Sequence, residues 1–312
     1  MVKKRYLITG GAGFIGANLT ENLCSRSNQC LVIDDLSSGY QHNLKANNSI
    51  EFIEDKVQNI SIDELGHIDG IFHLAAQASV PYSINNFYNS SKNNLLSSIK
   101  VLDWAKDLKV PIVYASSSAI YGNMDFGDED QNSFNILSPY AQDKLVLEEY
   151  ASLLYQNYNV SSLGLRFFNV YGPKQDALNP YSGVISIFID RILKNQPVIV
   201  NGGFQTRDFI FVSDVVEVLK SSMEYLNNNQ ICDYLNVGTG KSISVNQLLG
   251  VIKKILTADP EIILKELKKG DPEKSSGNYR KIKEILGFDI SKFKNIEFGL
   301  KETIKYFKNS YE

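Results

Sequence analysis

What this 312-residue chain has little of narrows its function before any motif is read. Its three cysteines, Cys24, Cys30 and Cys232, follow no metal-ligand spacing and are too few for a disulfide framework. The three histidines, His42, His67 and His73, form no ligand cluster in the sequence, so no metal is expected. No apolar run reaches the roughly 20 residues a spanning helix needs, and Lys3-Lys4-Arg5 leads into a strand rather than a signal sequence. A cytoplasmic protein is the expectation. Net charge is only −3, without an arginine-rich run or basic face, and the lysines of the last fifty residues alternate with acids and apolar residues as on solvated helices. Neither a nucleic-acid partner nor a membrane partner is expected. The single tryptophan, Trp104, sits among apolar neighbours and reads as helix packing. Gly240-Lys241-Ser242 imitates the end of a phosphate-binding P-loop, but Leu235 stands where that loop requires glycine.

What is present is an alternation of strands and helices with neither repeats nor a low-complexity linker. Strands are predicted near residues 5–9, 30–34, 50–54, 69–74, 110–115 and 160–167, and helices near 14–26, 90–108 and 139–157. That rhythm predicts an α/β protein, a Rossmann-type doubly wound parallel sheet covered on both faces. After Asn179-Pro180-Tyr181-Ser182-Gly183 the elements mix less regularly. We therefore expect a dinucleotide-binding domain over residues 1–168, to which the chain returns near 205–230, and a smaller α/β substrate-binding lobe over most of 169–312.

The amino terminus supplies a cofactor motif. An apolar strand from Lys3 to Thr9 runs into Gly10-Gly11-Ala12-Gly13-Phe14-Ile15-Gly16, and a helix follows. Three glycines spaced three apart are weak evidence alone, but a second strand, Cys30-Leu31-Val32-Ile33, ends in Asp34, eighteen residues after Gly16. In that setting the backbone N–H groups of Phe14, Ile15 and Gly16 would face a pyrophosphate, while the Asp34 carboxylate would receive ribose hydroxyls. An acid there repels a 2′-phosphate, so NAD is favoured over NADP.

A second constellation lies between Ser116 and Lys144. Ser116-Ser117-Ser118-Ala119-Ile120-Tyr121-Gly122 follows an apolar strand, and Ser138-Pro139-Tyr140-Ala141-Gln142-Asp143-Lys144 opens a helix. Ser138 is a favoured N-cap and Pro139 a favoured first residue, so Tyr140 falls in the first turn with Lys144 one turn along the same face. A phenol titrates near pH 10, and lowering it by about three units takes roughly 4 kcal/mol, a plausible demand on a nearby ammonium and a cationic cofactor ring. Tyr88 with Lys92 and Tyr279 with Lys283 share the spacing, but only Tyr140 has a serine-rich strand end upstream and a capped helix start around it.

These motifs resemble the extended short-chain dehydrogenase/reductases and, within them, the NAD-dependent nucleotide-sugar epimerases and dehydratases. The likeness is nearest to the UDP-N-acetylglucosamine and UDP-glucose 4-epimerases. It covers nearly the whole chain and includes His73-Leu74-Ala75-Ala76, Asn94, Arg166-Phe167-Phe168-Asn169-Val170-Tyr171-Gly172-Pro173, Arg207-Asp208-Phe209-Ile210 and Asn236-Val237-Gly238. The resemblance implies Tyr140 as the base that takes a proton from the sugar hydroxyl while hydride passes to NAD. It implies Lys144 as the group that holds the nicotinamide ribose and depresses the phenol, and Ser117 as a hydrogen bond to the reacting oxygen. Leu74, Ala75, Ala76, Asn94 and Phe167 join the cofactor site on the same ground.

The resemblance also implies a reaction type. Dehydratases of the family carry Asp-Glu after the position of Ser117, and the decarboxylases place Glu at the second of these two positions. This chain has Ser118 and Ala119. A 4-epimerase with retained NAD is the expectation; a dehydratase, decarboxylase or reductase of the family, or a non-catalytic NAD-binding regulator, are the alternatives. Asn169, Arg207 and Lys268 match diphosphate-binding positions, with lysine where arginine is usual. Ser275 matches a gate that is tyrosine in enzymes restricted to plain hexoses and small in those taking N-acetylated sugars. Ser79 and Ser118 are further sugar contacts, although Ser79 is nearly as well suited to capping a loop. Asp55-Lys56-Val57 replaces the usual Gly-Asp-Leu or Gly-Asp-Ile, which puts the usual adenine contact in doubt. The family's dimer pairs helices near 90–108 and 139–157 across a two-fold axis.

Overall fold

A computed structural model of the protein defines residues 3–45, 47–131, 133–179, 183–267 and 272–311. The expected alternation is present. In chain order the elements are β1 (Arg5–Thr9), α1 (Phe14–Ser25), β2 (Gln29–Asp34), β3 (Ile50–Glu54), β4 (Gly70–His73), α2 (Val80–Asn85), α3 (Phe87–Leu108), β5 (Ile112–Ser117), α4 (Pro139–Tyr158) and β6 (Ser162–Phe167). There follow β7 (Asn169–Tyr171), α5 (Val184–Leu193), β8 (Val198–Asn201), β9 (Thr206–Phe211), α6 (Val212–Leu226), β10 (Cys232–Val237), β11 (Ser242–Ser244), α7 (Val245–Leu256), β12 (Ile262–Lys265), α8 (Arg280–Leu286) and α9 (Ile296–Tyr311). Among the described residues no helix is long and apolar enough to cross a membrane.

Seven of these strands form one sheet in the order β3-β2-β1-β4-β5-β6-β10. The pairs β3–β2, β2–β1, β1–β4 and β4–β5 are parallel. The order reverses between β1 and β4, and in an open parallel sheet the carboxyl ends of the strands at such a reversal border the ligand crevice. Here those ends are the glycine turn after Thr9 and Leu74 after His73. Leu7, Leu31, Ile71 and Ile112 from the strands are buried with Val101 and Trp104 of α3 and Leu147 of α4, each large side chain contributing roughly 1.5–3 kcal/mol of burial.

The chain folds as two compact units. The first comprises residues 1–117, 138–166 and 216–235, and the second 118–137, 167–215 and 236–312. Within the first, α4 is fixed to the sheet by a buried ion pair. Arg166 on β6 is fully buried and grips Glu148 of α4 through Nε–Oε1 at 2.9 Å and Nη2–Oε2 at 2.6 Å. Ser116 of β5 donates to the same carboxylate at 2.5 Å, and the guanidinium lies 3.7 Å from the centroid of the Tyr234 ring. Both charges are thus offset by local partners, which is the condition for tolerating a buried pair.

The second unit contains the sheet β11-β9-β7 and the pair β12–β8. Its hub is Asp208, fully buried, which accepts from the Thr239 and Gly240 amides, the Thr239 hydroxyl at 2.6 Å and the Tyr279 hydroxyl at 2.5 Å. Glu129, also buried, accepts the Asn236 amide at 2.7 Å and the Lys281 amide at 2.9 Å, tying residues 118–137 to the carboxyl-terminal part of the unit.

Leaving one buried charge unpartnered costs about 3–5 kcal/mol. Glu148→Gln is therefore expected to lower unfolding stability by that amount in urea titrations. Glu148→Leu combined with Arg166→Met should recover most of the loss. A single variant as stable as the parent would show that the pair does not anchor α4.

Candidate active site

In the glycine turn, Gly10 has φ +72°, its N–H donates to Ile33 O at 2.8 Å, and Gly13 N–H donates to Gly10 O at 3.2 Å. A Cβ on Gly16 would lie 2.1 Å from Gly10 O, and one on Gly10 would lie 2.6 Å from Ala75 N. The turn is thus closed on itself and pressed against the Leu74-Ala75 segment at the end of β4. Helix α1 starts at once from Gly13, with no side-chain cap and no acid in its first turn. The amides of Phe14, Ile15 and Gly16 belong to that first turn, where N–H groups have no intrahelical acceptor and the dipole favours an anion.

Asp34 is placed beside this turn, but it already serves the protein. Its Oδ2 accepts Ala12 N–H at 2.9 Å and its Oδ1 accepts Leu36 N–H at 2.9 Å. Burial pushes its pKa up, against the Leu36 and Ala12 amides that stabilise the anion. A carboxylate can accept about four hydrogen bonds, so capacity for a ribose remains. Glycines with no room for Cβ, an uncapped helix start and a carboxylate at the second strand end together fit an NAD molecule. Asp55, by contrast, spends Oδ1 on its neighbours, the Lys56 amide at 2.6 Å and Asn59 Nδ2 at 2.7 Å.

The Ser138 hydroxyl accepts the Ala141 amide at 3.2 Å, and Pro139 opens α4 as its sequence requires. This sets the stripe Tyr140, Lys144 and Glu148 on one face, and consecutive residues of β5 receive it. Ala115 O accepts Lys144 Nζ at 2.7 Å, Ser116 bonds Glu148, and the Ser117 hydroxyl is hydrogen-bonded to the Tyr140 phenol. Lys144 Nζ lies 5.9 Å from the Tyr140 ring centroid. Ser117, Tyr140 and Lys144 are therefore brought together.

Burial raises the Tyr140 phenol above its ordinary value; the Ser117 hydrogen bond opposes this, and the Asp143 charge adds to it. Lys144 is pulled down to about 8, by burial first, against the Asp143 and Glu148 charges. Desolvation thus dominates both groups when protein groups act alone. His73, bonded to Thr9 Oγ1 at 2.8 Å and Ser98 Oγ at 3.2 Å, is driven to about 3 by burial and then by Lys144, so it stays neutral.

Asn94 is buried on α3 with its amide fully occupied. It accepts Gln77 N–H at 2.8 Å and donates to Gln77 O at 3.2 Å and Asp143 Oδ2 at 3.1 Å. It holds the segment after Leu74, Ala75 and Ala76 in place. Ser79 caps α2, accepting the Tyr82 amide at 3.1 Å. Motif reading misses Asp143 and Glu148, although both lie on the helix of Tyr140 and an acid at a four-residue step from Lys144 is a legible signal.

In the second unit, Ser118 opens a 3-10 turn over Ser118–Tyr121, and Phe167, the last residue of β6, is buried. Asn169 Nδ2 donates to Asp208 O at 3.1 Å, and register pairs Asn169 with Phe209, two residues from Arg207. Arg207 is mostly buried and donates to Thr206 O at 2.8 Å. Ser275 is half-buried, its carbonyl accepting Ser242 Oγ at 2.8 Å. Lys268 lies outside the described residues.

With this geometry in view, comparison with known proteins is specific. The profile of the NAD dependent epimerase/dehydratase family matches residues 6–238. A putative UDP-glucose 4-epimerase of Methanocaldococcus jannaschii is 34% identical over 311 residues, covering 97% of this chain and 98% of that protein. The solved UDP-N-acetylglucosamine 4-epimerase of Methanobrevibacter ruminantium M1, in complex with UDP-N-acetylmuramic acid, superposes with a TM-score of 0.92 at 32% identity, covering 99% of this chain and 100% of that one. A UDP-N-acetyl-alpha-D-glucosaminuronate decarboxylase of Bacillus cytotoxicus is 31% identical, covering 98% of each chain. The glycine turn, the Ser117–Tyr140–Lys144 cluster and end-to-end similarity agree, and the chain belongs to the NAD-dependent epimerase/dehydratase family.

Proposed function

We propose that the protein is a nucleotide-sugar 4-epimerase that retains NAD and acts on a UDP-linked N-acetylhexosamine or its uronic acid. The observation that carries this reading is the Ser117–Tyr140–Lys144 cluster combined with Ser118 and Ala119, which bring no carboxylate to the turn that follows it. Relatives named as 4-epimerases support it; a relative named as a decarboxylase is the reason to test the second reading, loss of carbon dioxide from a uronic acid.

In this reading Gly10, Gly13 and Gly16 with the amides of Phe14 and Ile15 receive the pyrophosphate, Asp34 the ribose, and Leu74, Ala75, Ala76 and Phe167 wall the site. Bound NAD supplies a reversible hydride acceptor for C4 of the sugar. Tyr140 takes the C4 hydroxyl proton and returns it to the opposite isomer, while Ser117 bonds the same oxygen. The Lys144 ammonium holds the ribose and favours the phenolate that burial disfavours. Asn169, Arg207 and Lys268 hold the diphosphate, Ser118 and Ser79 contact the sugar, and Ser275 leaves room for an acetamido group.

A homodimer belongs to the same proposal. Phe87, Tyr88, Leu96 and Ile99 of α3 and Tyr150 and Leu153 of α4 are exposed, while Leu147 faces the core. A two-fold pairing would cover this apolar surface. Light scattering that gives the mass of one chain would exclude it.

Gly16→Ala is expected to purify without nucleotide, because its methyl group collides with Gly10 O, while Gly250→Ala, whose methyl group meets nothing within 4 Å, keeps it. Ultraviolet absorbance and chromatography of nucleotide released on denaturation read both; full NAD in Gly16→Ala would reject the cradle. The function itself is tested by NMR of the protein with UDP-GlcNAc, UDP-Glc and UDP-GlcA, without added NAD. We expect the C4 epimer with C6 intact, fastest for the N-acetylated sugar; loss of the carboxylate would establish the decarboxylase instead. Tyr140→Phe should retain NAD and lose roughly 10²–10⁴-fold in turnover, and normal turnover would remove it as the base. Ser275→Tyr should harm N-acetylated sugars more than plain hexoses, and an equal loss on both would remove it as the gate.

A further inference from the structure

One buried acid beside the cluster has no part in the chemistry so far described. Asp143, between Tyr140 and Lys144 on α4, is 5% exposed. Its Oδ2 accepts Ser91 Oγ at 3.2 Å and Asn94 Nδ2 at 3.1 Å, both from α3. These two donors are neutral. A carboxylate in such a place is costly unless an opposite charge compensates it, and two neutral donors could have been met as well by an amide.

A charge that partly compensates it is next in sequence, although burial still raises the Asp143 carboxyl. Lys144 is 4% exposed, and its ammonium donates to a carbonyl, Ala115 O, at 2.7 Å. The polar and titratable groups around it come from three elements. From β4, His73 is neutral and bonded to Thr9 and Ser98. From α4 come Tyr140, Asp143 and Glu148, and Glu148 is committed to Arg166 of β6. From α3, Ser91 and Asn94 carry no charge. Among the described residues, Asp143 is therefore the acid acting on Lys144 that is not committed to another cation.

We infer that Asp143 is a positioning residue whose carboxylate keeps the buried Lys144 ammonium charged and, through Asn94, ties the catalytic helix to the Gln77 segment beside the cofactor loop. Two independent observations agree. The Asp143–Asn94–Gln77 chain is continuous in hydrogen bonds, and among the charges that hold Lys144 up against burial Asp143 is the largest. The same charge makes the Tyr140 phenol harder to ionise. The arrangement thus favours a lysine that stays charged at neutral pH over an intrinsically acidic tyrosine. This inference rests on the roles given above to Tyr140 and Lys144.

The test is the titration of Lys144 in the purified protein with its resident nucleotide, labelled with 13C at the lysine ε carbon and read by NMR from pH 6 to 10. Lys144→Arg identifies the signal. Asp143→Asn, which keeps shape and removes charge, is expected to lower the Lys144 midpoint by about one pH unit, a tenfold change in proton affinity. Where the protein turns over, the alkaline limb of its pH–rate profile should move down by a similar amount, since the variant loses the ammonium earlier as pH rises. Asp143→Glu should restore part of both shifts. If Asp143→Asn does not fold, Asp143→Ser makes the same comparison with a group that can still bond Asn94. An unchanged Lys144 midpoint in a folded, nucleotide-bearing variant overturns the inference, as does finding Asp143 protonated at neutral pH from its carboxyl carbon shift. The lysine titration needs no turnover, so inactivity on every UDP-sugar would reject the epimerase reading and leave this result standing.

Discussion

The interaction on which the site depends is the buried pair between Arg166 and Glu148. A helix lying on a parallel sheet can slide or rotate by small amounts at little cost if only apolar side chains hold it, because dispersion and burial are not directional. A two-pronged guanidinium–carboxylate contact is directional. With Glu148 fixed at 2.6 and 2.9 Å from Arg166 and bonded to Ser116, the helical step of four residues carries Lys144 to Ala115 O and brings Tyr140 to Ser117. Three consecutive residues of β5 thus receive three successive turns of α4. The proposed base sits at the first of these turns, where the chain leaves its serine cap, and the anchor lies two turns away. A buried carboxylate two turns along the helix in this way sets the position of Tyr140 and Lys144.

Fixing these groups in an enclosed place has an electrostatic consequence. Burial penalises whichever form is charged, so it raises the phenol and lowers the ammonium, moving both away from the charged pair that proton abstraction needs. The protein opposes this with a hydrogen bond between Ser117 and the phenol and with the Asp143 and Glu148 charges near the ammonium. The acids help Lys144, and Asp143 hinders Tyr140. A charge that supports one partner and burdens the other is a compromise, and it makes sense if a reliable cation is what a negatively charged dinucleotide and its ribose require.

Much of this is legible in sequence where the determinants are local. Ser138-Pro139 starts a helix because a hydroxyl cap and a fixed φ act within one turn. Gly10-x-x-Gly13-x-x-Gly16 between a strand and a helix marks a close backbone approach, which the Gly16 and Gly10 contacts display. What sequence leaves open is where a side chain's partners are distant along the chain. Its position at a strand end marks Asp34 as a ribose ligand, but it also holds the Ala12 amide twenty-two residues away. Asn94 matches a cofactor contact, and its amide is occupied by Gln77 and Asp143. Arg207 stands out as a cation in a motif, while its neighbour Asp208, which organises Thr239, Gly240 and Tyr279, does not, since nothing local distinguishes a buried acid from a solvated one.

The placement of negative charge bears on which reaction such a scaffold favours. Eliminating water after oxidation at C4 demands a second acid or base facing the sugar, and the enolate left when a 4-keto uronic acid loses carbon dioxide must be protonated; a residue in the turn after Ser117 is suited to supply either proton transfer. Here that turn begins with Ser118 and Ala119, and the acid whose charge acts on Tyr140 is Asp143, whose Oδ2 points to Ser91 and Asn94 of α3. An acid held by these two donors acts on the ionisation of Tyr140 and Lys144 through its charge. With no carboxylate at Ser118 or Ala119, the proposed fate of the oxidised sugar is return of the hydride, and the stereochemical outcome then depends on which face of the ketone is presented when it returns. In the proposed reaction, the residues assigned to the diphosphate and to the sugar's room to turn, rather than another acid or base, would therefore decide between the two epimers.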